Sequence, residues 1–313
     1  MLTGISHFFN EEYLLPWWVK HHLPLFDRCI MIDYHSTDRS RAIIQELAPH
    51  WEIRTSRNLE FASDLIDLEV MDIERECDGW KVVLNTTEFL CAHDLHTTLK
   101  RLENKRCKAF KLRGIILVDD PDSSYPTPDR ESPLIGQRWH GFIEDNTREA
   151  VTRHRLLHRH PDGAYVPGRH ETRHKSKQLY NSATVVHCLY SPWSSEFIAR
   201  KAQMQKQIPK MDVDRGWATY HLMGIAQHEQ NRRSEYNRHG EDLRYRWPFA
   251  RNVRFDAQVP ITLKILWEKF LPFADSKVLR PKYRRLKSKV QRSIYKRGNK
   301  IGLNLKIEPK ENR

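Results

Sequence analysis

The 313-residue chain has no run of about 18 consecutive apolar residues, the length a helix needs to cross a bilayer, so no membrane-spanning helix is expected. Its first ten residues, M-L-T-G-I-S-H-F-F-N, contain neither a basic region nor a long apolar stretch. They are read as a short strand, not a secretory leader. Cysteine is scarce and odd in number, at Cys29, Cys77, Cys91, Cys107 and Cys188, and no C-x-x-C pair occurs. That argues against a disulfide framework or a zinc knuckle, and for reduced thiols in a cytoplasmic protein. Histidine is plentiful, and His170-Glu171-Thr172-Arg173-His174 has the H-E-x-x-H spacing, which makes a zinc site only where it lies on a helix. In R-H-R-L-L-H-R-H at 153–160, His154 and His158 stand four apart, a spacing that fits one helix face. A solvated basic face or an anion-binding groove is the expectation there. There is no internal repeat.

What the chain does contain is enough for a packed core. Apolar residues make up 39% and charged residues 30%, so disorder throughout is not expected. Nine tryptophans and eleven tyrosines suit a cleft that holds rings. The net charge of +13 is unevenly spread, and residues 277–300 include no acidic side chain. Within that stretch Leu279, Tyr283, Leu286, Val290, Ile294 and Tyr295 recur at three- and four-residue steps, with Lys and Arg between them. This pattern fits an amphipathic helix lying on an anionic membrane surface. The expected division is therefore a main domain over 1–272 and a basic tail over 273–313. Nucleic-acid binding would suit the charge but has no motif to support it.

Residues 1–118 alternate strand and helix signals. Residues 5–9 and 29–34 are short apolar runs fit for buried parallel strands. Pro16 can open a helix that reaches about Leu23. Ser36-Thr37-Asp38 offers a cap for a helix over 40–47. A strand is expected at 51–55, and a helix at 61–76 with Leu65, Leu68 and Asp72 at helical spacing. Further strands are expected at 80–84 and 109–118, with a helix at about 95–103. The order predicts an α/β fold with a mostly parallel sheet flanked by helices. Residues 119–146 are turn-rich and read as a long loop of the kind that often forms a lid. A strand is expected at 183–189 and helical structure at 194–208.

In open parallel sheets, ligands bind beyond the carboxyl ends of the strands. Polar residues collect there after three of the predicted strands. They are Asn10-Glu11-Glu12, then Asp33 to Asp38, then Asn85-Thr86-Thr87-Glu88. The stretches I-S-H-F-F-N-E-E-Y-L-L-P-W-W-V-K-H-H-L, C-I-M-I-D-Y-H-S-T-D-R-S and G-W-K-V-V-L-N-T-T-E-F-L resemble, in this order, motifs of family-2-like glycosyltransferases with a GT-A fold (Rossmann-like). The subgroup in question carries N-E-x-x-Y-L-x-E-W, D-N-x-S-x-D and W-x-x-x-x-D-x-D-E-F. The run V-V-H-C-L-Y-S-P-W-S-S-E-F-I-A-R-K is similar to its N-H-Y-x-x-K-S-x-E-E-F-x-x-K, and His170 also falls in place. The resemblance covers about residues 3–205.

It implies a glycosyltransferase that moves a sugar from a UDP- or GDP-type nucleotide sugar to a glycan or lipid-linked acceptor, with inversion, in the cytoplasm or peripherally at the inner membrane face. By resemblance Asn10 and Glu12 lie near the nucleotide, Asp33 holds the base or ribose, and Ser36 and Asp38 shape the same loop. Asn85 and Thr87 stand where the family has the two aspartates of its D-x-D, which hold Mg²⁺ or Mn²⁺ against the diphosphate. Glu88 and His187 are the residues left to hold a metal. Three readings stay open: weak metal binding through Glu88, His187 and substrate phosphates; a metal-independent enzyme using Arg153, Arg155, Arg159 or Arg169; or a catalytically inactive protein that binds sugar nucleotides or glycans. An inverting transfer needs a carboxylate base, and Glu144, Asp145, Glu171, Asp212 and Asp214 are the candidates. Trp139 and Trp193 are candidates for stacking on an acceptor sugar.

Overall fold

A computed structural model describes residues 1–144, 154–246 and 249–253. The chain divides into two compact units, Met1–Leu271 and Pro272–Arg313. The second, with the basic tail, lies outside the described residues, as do Asp145 and Arg153.

The first half runs β1 (Leu2–Phe8), α1 (Leu15–His22), β2 (Arg28–Asp33), α2 (Ser40–Leu47), β3 (Glu52–Thr55), α3 (Ser63–Arg75) and β4 (Trp80–Asn85). There follow β5 (Glu88–Cys91), α4 (Leu95–Glu103), β6 (Ala109–Val118), β7 (His140–Ile143), β8 (Arg155–His158) and β9 (Lys177–Tyr190). The described part closes with α5 (Ser195–Gln203), α6 (Lys210–Asp214), α7 (Ile225–His239), β10 (Glu241–Asp242) and α8 (Phe249–Asn252). One sheet joins the strands in the order β10-β7-β6-β8-β4-β1-β2-β3, with β9 pairing both β6 and β5. Its β3-β2-β1-β4 half is parallel. The other half is mixed, because β8 runs antiparallel between β4 and β6 while β9 is parallel to β6. The fold is α/β, with helices on both faces.

Alternation along the parallel strands explains both faces. Cys29 and Met31 of β2, with Trp80, Val82 and Leu84 of β4, join α1, α2 and α4 in one core. Ile30, Ile32 and Val83 point the other way and join Ile66, Val70 and Ile73 of α3. Strands buried on both faces read as continuous apolar runs, which is why they were legible.

Three expectations change. On α3, Leu65 and Leu68 are 44% and 49% exposed, and the buried face carries Asp67, Glu69 and Glu74 beside Ile66, Val70 and Ile73. These acids are buried because each has partners. Glu69 accepts from Tyr34, Ser56 and Asn58, and Glu74 accepts from Tyr165 Oη at 2.7 Å and Gly163 N at 2.6 Å and lies 2.9 Å from His158 Nε2. Residues 155–158 form a strand, not a helix, because β4 and β6 leave a gap that β8 fills. His154 and His158 are accordingly buried. The loop after β6 is strapped to α1: Trp17 Nε1 donates to Asp129 O at 2.8 Å, and Lys20 Nζ reaches Glu131 at 2.9 Å. Arg138 Nη2 holds Pro126 O at 2.7 Å within the same loop. These contacts tie the loop to α1, and the stretch expected as loop throughout contains strand β7.

Candidate functional site

The parallel register sets three strand ends side by side. Phe8 pairs with Asp33, and His7 pairs with Asn85. Whatever follows β1, β2 and β4 therefore meets at one sheet edge.

The β1 and β2 ends brace one another. Asn10 Oδ1 accepts from Thr37 N at 2.8 Å and Asp38 N at 3.3 Å, while Asn10 N donates to Ser36 Oγ at 3.0 Å. Glu12 N donates to Asp38 Oδ2 at 3.0 Å, and the Glu12 carboxylate accepts from Arg39 N at 3.1 Å. Asp33 accepts from Ser36 N and Arg41 Nη1, both at 2.8 Å. Asn10 and His35 take left-handed backbone, φ 50° and 59°, to let the loops interlock. Asn10, Glu12, Asp33, Ser36 and Asp38 thus come together as a brace, and none of them lines the cavity at the end of β4.

That cavity, of about 260 Å³, is lined on one side by the turn Asn85-Thr86-Thr87-Glu88. The turn is pinned at several points. Trp18 Nε1 donates to Glu88 O, and Cys188 N to Thr87 O, each at 2.8 Å. Glu88 and His187 are direct cross-strand partners on β5 and β9. The Glu88 carboxylate, however, faces Arg155: Nε and Nη2 reach its two oxygens at 2.7 Å each. Asn85 N also donates to Glu88 Oε2, at 2.8 Å. Both partners are almost wholly enclosed, at 1% and 2% exposure. Glu88 therefore enters the site as a fixed counter-ion to Arg155.

The other carboxylate on the wall is Glu11, in an ion pair with Arg200 of α5. Burial pushes its carboxyl up from the usual value, against the pull of Arg200. Beyond the turn, Arg169 pairs with Asp67 of α3, and its Nη2 donates to Asn85 Oδ1 at 3.2 Å and faces His7 Nδ1 at 3.2 Å. Lys201 Nζ donates to Tyr220 Oη at 2.9 Å and stands over the rings of Tyr190, Phe197 and Tyr220. Neutral imidazoles complete the wall. His7 is held well below 6.5 by burial, then by Arg169 and Arg155. His221 is lowered to about 4 by burial, then by Lys201 and Arg200.

A divalent ion of the Mg²⁺ or Mn²⁺ type needs anionic oxygens. Here the D-x-D positions offer an amide and a hydroxyl, and Glu11 and Glu88 are each held by an arginine. Among the described residues no group of three or more His, Cys, Asp or Glu side chains is placed to hold a metal. The donor set does not fit such an ion.

The four base candidates among the described residues do not line this cavity. Asp212 is buried and accepts from Ser63 N and Oγ, at 2.9 and 2.8 Å, at the start of α3. Glu171 pairs with Lys111, and Asp214 with Lys210. Glu144 follows β7 and joins its backbone to Gly114 O. Arg159 donates to Glu103 O at the end of α4 and stands over the Trp80 ring at the amino end of β4. Trp139 stacks under Arg244, and Trp193 lines a second cavity of about 400 Å³ with Tyr13, Trp17 and Tyr125. Of the residues on the wall, His7, Arg200, Lys201 and His221 were not among the candidates from sequence, and Glu11 stood there only as a member of the polar cluster after β1. The one available signal for two of them was the closing R-K of the 185–201 run.

The fold and this site define an α/β protein with a cation-rich cavity at the carboxyl edge of its parallel strands. No protein-family model and no curated protein matches the chain. Among solved structures it is similar to residues 1–349 of S. aureus TarS, at 9% identity and TM-score 0.34, covering 66% of this chain and 64% of that one. The same protein in complex with UDP-GlcNAc aligns at 10% identity and TM-score 0.36, covering 66% of each chain. Glucosyl-3-phosphoglycerate synthase from Mycobacterium tuberculosis, with Mn²⁺, UDP and glucosyl-3-phosphoglycerate, aligns at 13% and TM-score 0.29, covering 37% of this chain and 44% of that one. Likeness at this level transfers no residue role.

Two outcomes are expected. Removing one member of the buried pair, as in Glu88→Gln or Arg155→Met, should cost about 3–5 kcal/mol, and removing both should cost less than the two single changes added together. Denaturant unfolding of the three variants measures this; simple additivity would show that the pair is not coupled. Stability should also depend on acid. His7, His22 and His221 stay neutral in the fold, whereas in the unfolded chain they protonate below about pH 6.5. The unfolded state then binds more protons, so stability is full above pH 6.5 and falls as pH drops towards 4. A thermal midpoint that stays level over this window would contradict it.

Proposed function

We propose that the chain is a glycosyltransferase with a GT-A-type fold that seats a nucleotide-sugar donor of UDP or GDP type in the cavity beside the Asn85–Glu88 turn. The observation that carries this reading is the cavity's position and lining: it opens at the carboxyl edge of β1 and β4, with Phe9, Phe61 and Tyr220 for a ring system and Arg200 and Lys201 for phosphates. In the transfer, the acceptor oxygen attacks the anomeric carbon. The bond from that carbon to the diphosphate oxygen breaks, its electron pair leaving with the phosphate, and the acceptor proton passes to a carboxylate. Glu11, with its raised pKa and place on the cavity wall, is the base this reading assigns. The acceptor is a glycan or lipid-linked glycan, and the amphipathic basic tail brings the enzyme to an anionic membrane face where such acceptors lie.

Release of UDP or GDP from a panel of nucleotide sugars tests the reaction, and Glu11→Gln should lower kcat by about 100-fold or more while leaving donor binding in place. Absence of turnover with every donor in the panel, with donor binding retained, would favour a sugar-nucleotide-binding protein without catalysis. For the tail, a chain truncated before residue 277 should lose its sedimentation with vesicles containing anionic lipid; unchanged sedimentation would rule the membrane role out.

A further inference from the structure

We infer that this cavity grips a diphosphate directly with the chain's own cations Arg200 and Lys201 of α5, with Arg169 standing behind Asn85 outside the wall, in the place where a divalent metal ion would otherwise bridge protein and phosphate. The inference rests on the reading of the cavity as a donor site and goes further in naming the group recognised and the means.

The charges argue for it. The wall carries three cations, Arg155, Arg200 and Lys201, against two carboxylates, Glu11 and Glu88. Arg155 is spent on Glu88, with Nε and Nη2 on the carboxylate and Nη1 on Gly168 O at 2.9 Å. Arg200 and Arg169 differ. Each satisfies a carboxylate through Nη1 and keeps a buried Nε–H with no hydrogen-bond partner among the described residues. A buried guanidinium donor without an acceptor is costly, and a phosphate oxygen is the acceptor that such a donor binds most strongly. Lys201 donates to Tyr220 Oη and is held over the faces of Tyr190, Phe197 and Tyr220, which position the ammonium at the wall.

The turn argues the same way. Aspartates at 85 and 87 would repel a diphosphate unless a metal stood between them. Asn85 and Thr87 bring no negative charge, and Arg169 donates to Asn85 Oδ1 at 3.2 Å, leaving the amide's own N–H groups as donors. The sequence change at the turn and the two cations on α5 are thus parts of one arrangement. His221, lowered first by burial, is lowered further by Lys201 and then Arg200.

Calorimetric titration of the full chain with UDP, GDP and inorganic pyrophosphate, in EDTA and in Mn²⁺, is the test. Binding of at least one of the three is expected in EDTA, within about twofold of its affinity in Mn²⁺. Lys201→Met, which keeps the stem among its three rings, should weaken binding at least about tenfold, the effect of losing one charge-assisted hydrogen bond. Asn85→Asp with Thr87→Asp should abolish metal-free binding and make what remains depend on Mn²⁺. Binding by the unaltered chain only in Mn²⁺ would overturn the inference and leave the donor reading standing. So would full-strength binding by Lys201→Met. No binding of any of the three ligands under either condition would overturn the donor reading itself.

Discussion

The buried ion pair between Glu88 and Arg155 organises this end of the molecule. Its two bonds of 2.7 Å tie the start of β5 to the start of β8, elements 67 residues apart. The remaining guanidinium nitrogen reaches Gly168 O, and the carboxylate reaches back to Asn85 N. Two charges removed from water so completely are tolerated only when well hydrogen-bonded, and here three bonds from Arg155 and one from Asn85 N supply that. The result is a turn at the tip of β4 whose backbone and nearest carboxylate are fixed before any ligand arrives. That carboxylate is no longer free to meet a cation.

A second set of ion pairs sets the cavity's outer limits. Asp67 on α3 holds Arg169, and Glu11 after β1 holds Arg200. Each arginine comes from a late segment and each acid from an early one, so the pairs also join the two halves of the fold across the strand ends. α3 carries three buried acids because its sheet-facing side is part apolar packing and part polar network, with Glu74 gathering His158, Tyr165 and Gly163 N. An account of this helix by hydrophobic spacing alone selects the wrong face, since the acids' partners come from residues up to 102 positions away. The net charge of +13 lies almost wholly in residues 277–313, so the enclosed cations at the site are a local arrangement, placed where charge acts most strongly on a ligand.

The sequence by itself determined the parallel half of the sheet. The apolar runs at β1, β2 and β4 are buried on both faces, so β2 and β4 could be placed to within a residue, while β1 begins three residues before its expected start. It also determined that Asn10, Asp33 and Asn85 lie at or just past strand ends, and that neutral residues stand at 85 and 87. Tertiary structure alone decided what those residues do. Asn10 and Asp33 became a brace because the β1–β2 register sets their loops in contact, whereas Glu11, one residue along, turns to the cavity wall. β8 was hidden because a strand with Arg155 and His158 in it is polar in sequence and becomes buried only through partners on β5 and α3. Arg200 and Lys201 were hidden for the same reason: a basic pair near a helix end reads as surface until Glu11 and three aromatic rings close around it. Periodicity records which face is apolar. The pairing of buried charges depends on contacts between distant segments, and that information exists only once the chain has folded.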